Sequence, residues 1–216
     1  MAETTNTHEP ANGVYGVLTA GNCKPILFST PMVQPILRNE KTQTRRIVKY
    51  SKNITDPKVG FSAFTDNDQF EVRGVHENGE YGSSFFKLKY KVGDILWVRE
   101  TWHPKRHNFT IGWKYEYKAT AEEDGTPTDE PWKPSIFMPK DACRIFLKVK
   151  RIRIERLQDI SDNDIVKEGA ASFGCCTKQL NWQILWEKIN GVESWNANPW
   201  VFVYEFERTD ASFAFR

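Results

Sequence analysis

Apolar and polar residues along this chain alternate with the two-residue period of strands more often than with the 3.6-residue period of helices. A turn at Gly93 and Asp94 precedes one such run. The strand-type runs are KPILFS, DILWVRE, GWKYEYKAT, ACRIFLKVKRIRIERL and PWVFVYEFER. Because strands outnumber helices, the pattern predicts an α+β fold, a small and partly closed mixed β-barrel with peripheral helices.

Three shorter segments carry helix signals. The first, STPMVQPILRN, has a Ser or Thr cap and apolar residues on one face, and its internal proline is expected to bend it. The second, SDNDIVKEGA, begins at a Ser161 or Asp162 cap. The third, QLNWQILWEKIN, has apolar residues at positions 180, 184, 185 and 189 and stops at glycine. These helices are expected to lie around the barrel.

The length and composition favour one domain with insertions. At 216 residues the chain can bury a core without disulfides or metals. Residues 50–90 are rich in Gly, Asn, Asp and Ser with short aromatic runs, a pattern typical of a hairpin-bearing insertion. The polar residues 1–23 are expected to form a flexible leader. No internal repeat interrupts this organisation.

Cysteine use and hydropathy favour a cytoplasmic protein with no membrane partner. The four cysteines have neither a C-x-x-C spacing nor the framework of a small secreted domain, which indicates a reducing compartment. The N-terminal segment lacks the apolar core of a signal peptide. No run of about 18 apolar residues could cross a bilayer.

Charge is uneven although the formal net charge is only +2. Residues 41–58 and residues 144–156 each carry six cations against one acid, so either segment could contact phosphate. Aromatic residues make up 13% of the chain, with eight tryptophans, which is more than a minimal core requires. Some of these rings are expected to face a ligand.

The segment RNEKTQTRR concentrates candidate chemistry at Lys41, Thr42, Thr44, Arg45 and Arg46. Lys41 and Thr44 would share one side of a helical turn. A lysine whose pKa is lowered by burial and by neighbouring arginines could act as base for the threonine hydroxyl. Either arginine could hold a phosphate or polarise a carbonyl. A solvated basic turn explains the composition equally well, and the spacing does not choose between them.

Two glutamates are further candidates. Glu168 ends a predicted helix just before Gly169, where the helix dipole disfavours negative charge and burial would raise the pKa of the carboxyl. An ordinary surface glutamate is the alternative interpretation. Glu100, on the strand after Trp97, has a similarly weak claim.

No metal or cofactor is expected. His103 and His107 are four residues apart, but Pro104 argues against a helical ligand pair, and no third ligand has sensible spacing. Adjacent Cys175 and Cys176 seldom form a disulfide easily. The sequence contains no glycine-rich phosphate loop, serine elbow or dinucleotide fingerprint.

The segment NEKTQTRR resembles the signature G-x-K-x-x-T-x-R of the ASCH domain family, a branch of the PUA-like superfamily. Lys41, Thr44 and Arg46 fall on its lysine, threonine and arginine. Asn39 replaces its glycine, a mild departure because asparagine tolerates a positive φ angle.

The resemblance extends to later blocks, and together the blocks cover about half the chain. They are similar to ASCH-like proteins of bacteriophages and prophages, which implies a PUA-like barrel in a bacterial host cell. One domain over residues 24–210 is then expected, with insertions at about 50–90 and 104–131. The later blocks are YKVGDILWVRETW, KPSIFMPKDACRIFLKVKRIRIERLQDISDNDIVKEG and LWEKINGVESWNANPWVFVYEFER.

The resemblance also implies a cleft that binds RNA or a nucleoside. One branch is similar to an amidohydrolase that deacetylates acetylcytidine with a lysine, a threonine and a glutamate, which correspond to Lys41, Thr44 and Glu168. Lys41 would activate the Thr44 hydroxyl, and Glu168 would pass a proton to the leaving amine. Substrate contacts would come from Thr42, Arg45, Arg46, Trp97 and Glu100, with Trp97 or another ring stacking on the base. A non-catalytic RNA-binding or base-binding module and an endoribonuclease are the alternatives.

Overall fold

The computed structural model describes residues 23–50, 54–61, 69–76, 78–106, 113–125, 131–170 and 177–210. Most of the expected leader lies outside these residues, as do His107, Cys175 and Cys176. The described part contains ten strands and five α-helices. The strands are β1 Cys23–Leu27, β2 Gln43–Ile47, β3 Thr55–Phe61, β4 Gln69–Val75, β5 Tyr81–Lys87, β6 Ile95–Arg99, β7 Trp102–Arg106, β8 Trp113–Tyr117, β9 Phe146–Arg156 and β10 Trp200–Thr209. The helices are α1 Thr30–Leu37, α2 Lys118–Asp124, α3 Asp162–Lys167, α4 Lys178–Asn190 and α5 Val192–Asn196.

A five-stranded mixed sheet forms the centre, in the order β1-β6-β9-β10-β2. β1 runs parallel to β6, and the other neighbours are antiparallel. The predicted α+β class is therefore confirmed. β6 is buried on both faces instead of alternating, because apolar side chains cover each side of it.

The central sheet does not close into a barrel in the part of the chain that the structure describes. β1 and β2 are the two edges of the sheet, and no ladder of hydrogen bonds joins them there. A side chain spans the gap instead, since Arg46 Nη2 donates to the carbonyl oxygen of Leu27 at 2.6 Å. The open seam between these strands leaves room for the cavity described below.

The segment predicted as a hairpin-bearing insertion forms a three-stranded antiparallel sheet, β3-β4-β5, called the insertion sheet below. It packs on the central sheet through Phe70, whose ring makes an edge contact with that of Phe202 at 4.9 Å between centroids. The second expected insertion contains the hairpin β7-β8 and α2. The two segments thus form sheets separate from the central one.

The predicted helices α1, α3 and α4 form where expected. Ser161 caps α3 by accepting a hydrogen bond from the Asp164 amide, and Gly191 ends α4. The buried side of α4, however, consists of Asn181, Trp182, Leu185 and Trp186, whereas Leu180, Ile184 and Ile189 are exposed. Leu185 and the two tryptophans, rather than Leu180, Ile184 and Ile189, therefore face the core.

The main core lies between the central sheet, the insertion sheet and helices α1, α3 and α4. Val33, Ile36, Leu96, Leu147 and Ile165 are fully buried in it. Among the described residues, no helix combines the length and the apolar character needed to span a bilayer.

Candidate functional site

Lys41 and Glu168 form a buried ion pair although 127 positions separate them in the chain. The Lys41 Nζ atom lies 2.6 Å from Glu168 Oε2 and 2.7 Å from the main-chain oxygen of Glu168. The exposed fractions of the two side chains are 0% and 3%. The structure therefore brings together the amine and the carboxylate that the sequence indicated.

The end of α3 explains why this pair forms. Glu168 is the C-cap, and Gly169 follows with a φ of +75°. The amides of Gly169 and Ala170 close the helix on the carbonyls of Val166 and Ile165, which is the Schellman arrangement. The free carbonyl of the cap residue then accepts from Lys41, whose ammonium also compensates the negative end of the helix dipole.

The Lys41 segment can lie close to the end of α3 because residue 169 is glycine. A Cβ atom at this position would lie 2.9 Å from Pro35 Cγ and 3.3 Å from Lys41 Cβ. The Lys41 segment itself turns at Asn39, whose φ is +59°. Asparagine thus adopts the conformation expected where the family signature has glycine.

Thr44 lies in β2, so it and Lys41 are not aligned by a helical turn. The strand forms because residues 43–47 pair with β10, where Thr44 lies opposite Tyr204. Thr44 is 5% exposed and lines the same cavity as Lys41. Within the described part of the chain its hydroxyl makes no hydrogen bond, which leaves it available to a ligand.

Arg45 holds the other oxygen of Glu168. Its Nη1 donates to Glu168 Oε1 at 2.8 Å, while Nε and Nη2 both donate to Glu155 Oε1 at 2.9 and 2.6 Å. The Arg45 side chain is fully buried. Its fork therefore orients the glutamate, a different role from the substrate contact expected from the sequence.

A second layer of charged groups surrounds Arg45. Arg153 donates to Glu155, Asp164 and Glu205. Burial raises the pKa of Asp164, but hydrogen bonds from Gln43 and Arg153 outweigh it and hold that pKa below its ordinary value. Sequence reasoning missed these acids, because they join the site only when β2, β9 and α3 come together.

Several neighbouring groups act on the pKa of the Lys41 amine. Burial lowers the pKa of Lys41, the Glu168 carboxylate opposes this effect, and the positive charges of Arg46 and Arg45 add to it. The net direction is a lowered pKa. Two of the three positions on Nζ bond to Glu168, so the third remains for Thr44 or a ligand.

Arg46 lies at the open seam of the sheet. Besides its bond to Leu27, its guanidinium stacks over the Phe28 ring at 5.2 Å. Burial lowers the pKa of Arg46, but a guanidinium stays protonated in proteins. It supplies a permanent positive charge beside Lys41 in the cavity wall.

A cavity of about 880 Å³ is lined by Lys41, Thr44, Arg45, Arg46 and Glu168, among others. Its size is in the range of small-molecule sites, which extends over roughly 300–1,000 Å³. The sequence predicts that aromatic rings face a ligand, but it does not identify the rings that line this cavity. They are Phe28, Phe70, Tyr90, Trp182, Trp186, Phe202 and Tyr204.

Trp97, Glu100 and Thr42 are not brought to the cavity. Trp97 packs with Ile95 and Phe146 in a separate cluster, since it points to the other face of β6. Glu100 is buried and forms a bidentate ion pair with Arg144, with both contacts at 2.9 Å. Thr42 joins α3 and β10 through its main chain. The roles expected for these three residues as substrate contacts are not supported by their positions.

The second basic segment, residues 144–156, contributes nothing to the lining of the cavity. Three of its six cations form ion pairs, Arg144 with Glu100, Lys150 with Glu207 and Arg153 with Glu205. These ion pairs stabilise the fold and reduce the charge that this segment could offer to phosphate.

No group of three or more His, Cys, Asp or Glu side chains that could hold a metal occurs among the described residues. His103, the described member of the histidine pair, lies 3.0 Å from a Glu116 oxygen. No family model, curated protein or solved structure matches the chain. The interpretation of the site therefore depends on its geometry.

Proposed function

We propose that the protein is an ASCH-type, PUA-like protein that binds a nucleobase-like ligand and hydrolyses an acyl amide on it, as in acetylcytidine. The observation that carries this proposal is the buried contact of 2.6 Å between Lys41 and Glu168 in the wall of an aromatic cavity. A lysine with a lowered pKa beside a carboxylate is suited to proton transfer. The rings offer flat surfaces on which a base can stack.

In the proposed reaction the neutral Lys41 amine takes the proton of the Thr44 hydroxyl as the oxygen attacks the acyl carbon. Arg46 stabilises the negative charge that develops on the carbonyl oxygen. The carbon–nitrogen bond then breaks, and the proton reaches the leaving amine through Glu168. Water hydrolyses the resulting threonine ester, which releases the carboxylic acid and restores the hydroxyl. Arg45 acts indirectly, as the residue that positions Glu168.

Binding without turnover is the second candidate function, and one observation favours it. Lys41 already gives two hydrogen bonds to Glu168, and within the described residues none joins it to Thr44. If ligand binding leaves this arrangement intact, the ion pair serves only to shape the cavity. The protein would then recognise RNA or a modified base.

Incubation with acetylcytidine, followed by chromatography of the products, tests the proposal. We expect cytidine and acetate from the wild type and loss of at least about 100-fold in rate from Lys41→Met, Thr44→Val and Glu168→Gln, since each removes a proposed proton-transfer or nucleophilic group. Lys178→Met, on the exposed start of α4, is the matched control for charge removal. Ligand binding without product would support the binding module, and cleavage of an RNA strand would support the endoribonuclease.

A further inference from the structure

The lining of the cavity is far more basic than the chain. Seven of its side chains are lysine or arginine, and Glu168 is its one acidic residue among those described. The cavity therefore carries a formal charge of about +6, whereas the chain carries +2. Such a local excess attracts an anionic ligand.

Five of the seven cations have no carboxylate within salt-bridge distance in the described part of the chain. They are Arg46, Lys49, Lys87, Lys89 and Arg99. Lys41 and Arg45, by contrast, are paired with Glu168. The five therefore differ from the paired cations of residues 144–156, and their charge is available to a ligand.

These five cations come from separate parts of the fold. Arg46 and Lys49 lie at and beyond the end of β2, and Arg99 lies at the end of β6. Lys87 and Lys89 come from β5 and the turn after it, so the insertion sheet supplies them. Both are exposed at the cavity, and Lys89 Nζ lies 5.2 Å from the centre of the Tyr90 ring.

The five cations are spread over three strands, so they fit a ligand with several phosphates better than a ligand with one. The rings beside these cations distinguish the kind of polyanion, because Phe28, Tyr90 and Phe202 offer apolar surfaces that bases fill and acidic side chains do not. A groove that alternates cations with rings is typical of sites for single-stranded nucleic acid.

We propose that the insertion sheet β3-β5 is a wall for binding a polynucleotide strand, with Lys87 and Lys89 contacting phosphates of nucleotides that flank the base in the cavity. The identity of that base rests on the function proposed above, but the strand contacts do not. The natural ligand is then a single-stranded polynucleotide, and a free nucleoside occupies only part of the site.

Fluorescence anisotropy with a labelled, unmodified single-stranded RNA of about 12 nucleotides tests the inference, since single-strand sites take roughly 4–16 nucleotides. With five phosphate contacts, the wild-type affinity should fall about 100-fold between about 50 and about 200 mM salt. The Lys87→Ala/Lys89→Ala double variant should bind more weakly and lose only about 20-fold over the same range, since two contacts are gone.

A second double variant, Lys150→Ala/Lys178→Ala, removes the same charge from exposed positions outside the cavity lining. It should keep the wild-type salt dependence. Competition by cytidine 5′-monophosphate and by poly-glutamate distinguishes the source of the anionic group. We expect both to compete at least about 100-fold more weakly than the RNA strand, because neither supplies phosphates and bases together along a chain.

An unchanged salt dependence in the Lys87→Ala/Lys89→Ala variant would overturn the inference, as would equal competition by the monophosphate or by poly-glutamate. Because the probe carries no acyl group, these results do not depend on turnover. Absence of acetylcytidine hydrolysis would contradict the proposed function alone. Hydrolysis of the nucleoside without salt-dependent strand binding would contradict the strand-binding wall alone.

Discussion

Glu168 holds the Lys41 ammonium with two of its own atoms, the carboxylate oxygen Oε2 at 2.6 Å and the main-chain oxygen at 2.7 Å. The two contacts have different origins. The carboxylate is a side-chain partner, whereas the carbonyl is free because the α3 helix ends there. A single helix end therefore fixes the position of the amine in the cavity wall.

Replacement of Lys41 by methionine should destabilise the fold as well as the site. The buried Glu168 carboxylate would lose one partner and keep Arg45, so we expect the free energy of unfolding to fall by about 2–4 kcal/mol. Urea denaturation measures the change. The exposed control Lys178→Met should stay within about 0.5 kcal/mol of wild type, and equal stability of the two variants would contradict the buried pair.

Gly169→Ala should be more damaging than an alanine at another left-handed helix end. Gly125 ends α2 with a φ of +66° and has open space around it, so Gly125→Ala measures the cost of the backbone conformation alone, about 1–2 kcal/mol. At Gly169 the new methyl also meets Pro35 at 2.9 Å. We expect a total loss of about 2–4 kcal/mol, measured by urea denaturation.

The comparison of these two glycine variants isolates the close approach of α1 to the end of α3. If both variants lose the same free energy of unfolding, Pro35 does not restrict position 169. A rate of acetylcytidine hydrolysis that falls with Gly169→Ala and stays unchanged with Gly125→Ala would further connect the close approach to the Lys41–Glu168 geometry.

Local signals in the sequence predicted the parts of this fold that local chemistry determines. The Ser161 cap, the end of α4 at Gly191 and the left-handed Asn39 are each encoded within a few residues, and the structure has them as expected. The pairing of Lys41 with Glu168 was anticipated only through the family resemblance, because no local pattern connects positions 127 apart.

The errors arise where several elements meet. Trp97 was expected at the ligand, but burial of both faces of β6 sends it into a separate cluster with Phe146. Glu100 is expected to contact the substrate, but in the structure its carboxylate pairs with Arg144, which follows the β7-β8 hairpin in the chain. The alternation of residues along a strand assigns the side chains to its two faces. It does not show which of the two faces borders a cavity.

The Asp164 carboxylate should contribute to acid stability. Its pKa lies below the ordinary value of 3.8 in the folded protein, because the hydrogen bonds from Gln43 and Arg153 outweigh the effect of burial. A depressed folded pKa gives stability that is fully present above pH 3.8 and is lost as the pH falls through the lower, folded value. Asp164→Asn should therefore be less stable than wild type at neutral pH.

The difference between Asp164→Asn and wild type should shrink as the pH falls below about 4. Thermal unfolding between about pH 2 and 7 measures it. The matched control is Asp162→Asn, on the same helix but exposed. If the loss of stability in Asp164→Asn is independent of pH, the asparagine destabilises the fold through its shape. The Asp164 carboxylate then does not contribute to acid stability.

Arg45 should couple Glu155 energetically to Glu168. A lysine at position 45 cannot reach both acids, because its single ammonium lacks the fork with which Arg45 contacts Glu155 at 2.6 Å and Glu168 at 2.8 Å. We expect Arg45→Lys to lower the free energy of unfolding by about 1–3 kcal/mol. In the double-mutant cycle with Glu155→Gln, the losses should be non-additive by about 0.5–3 kcal/mol. Additive losses would mean that Arg45 holds Glu168 without help from Glu155.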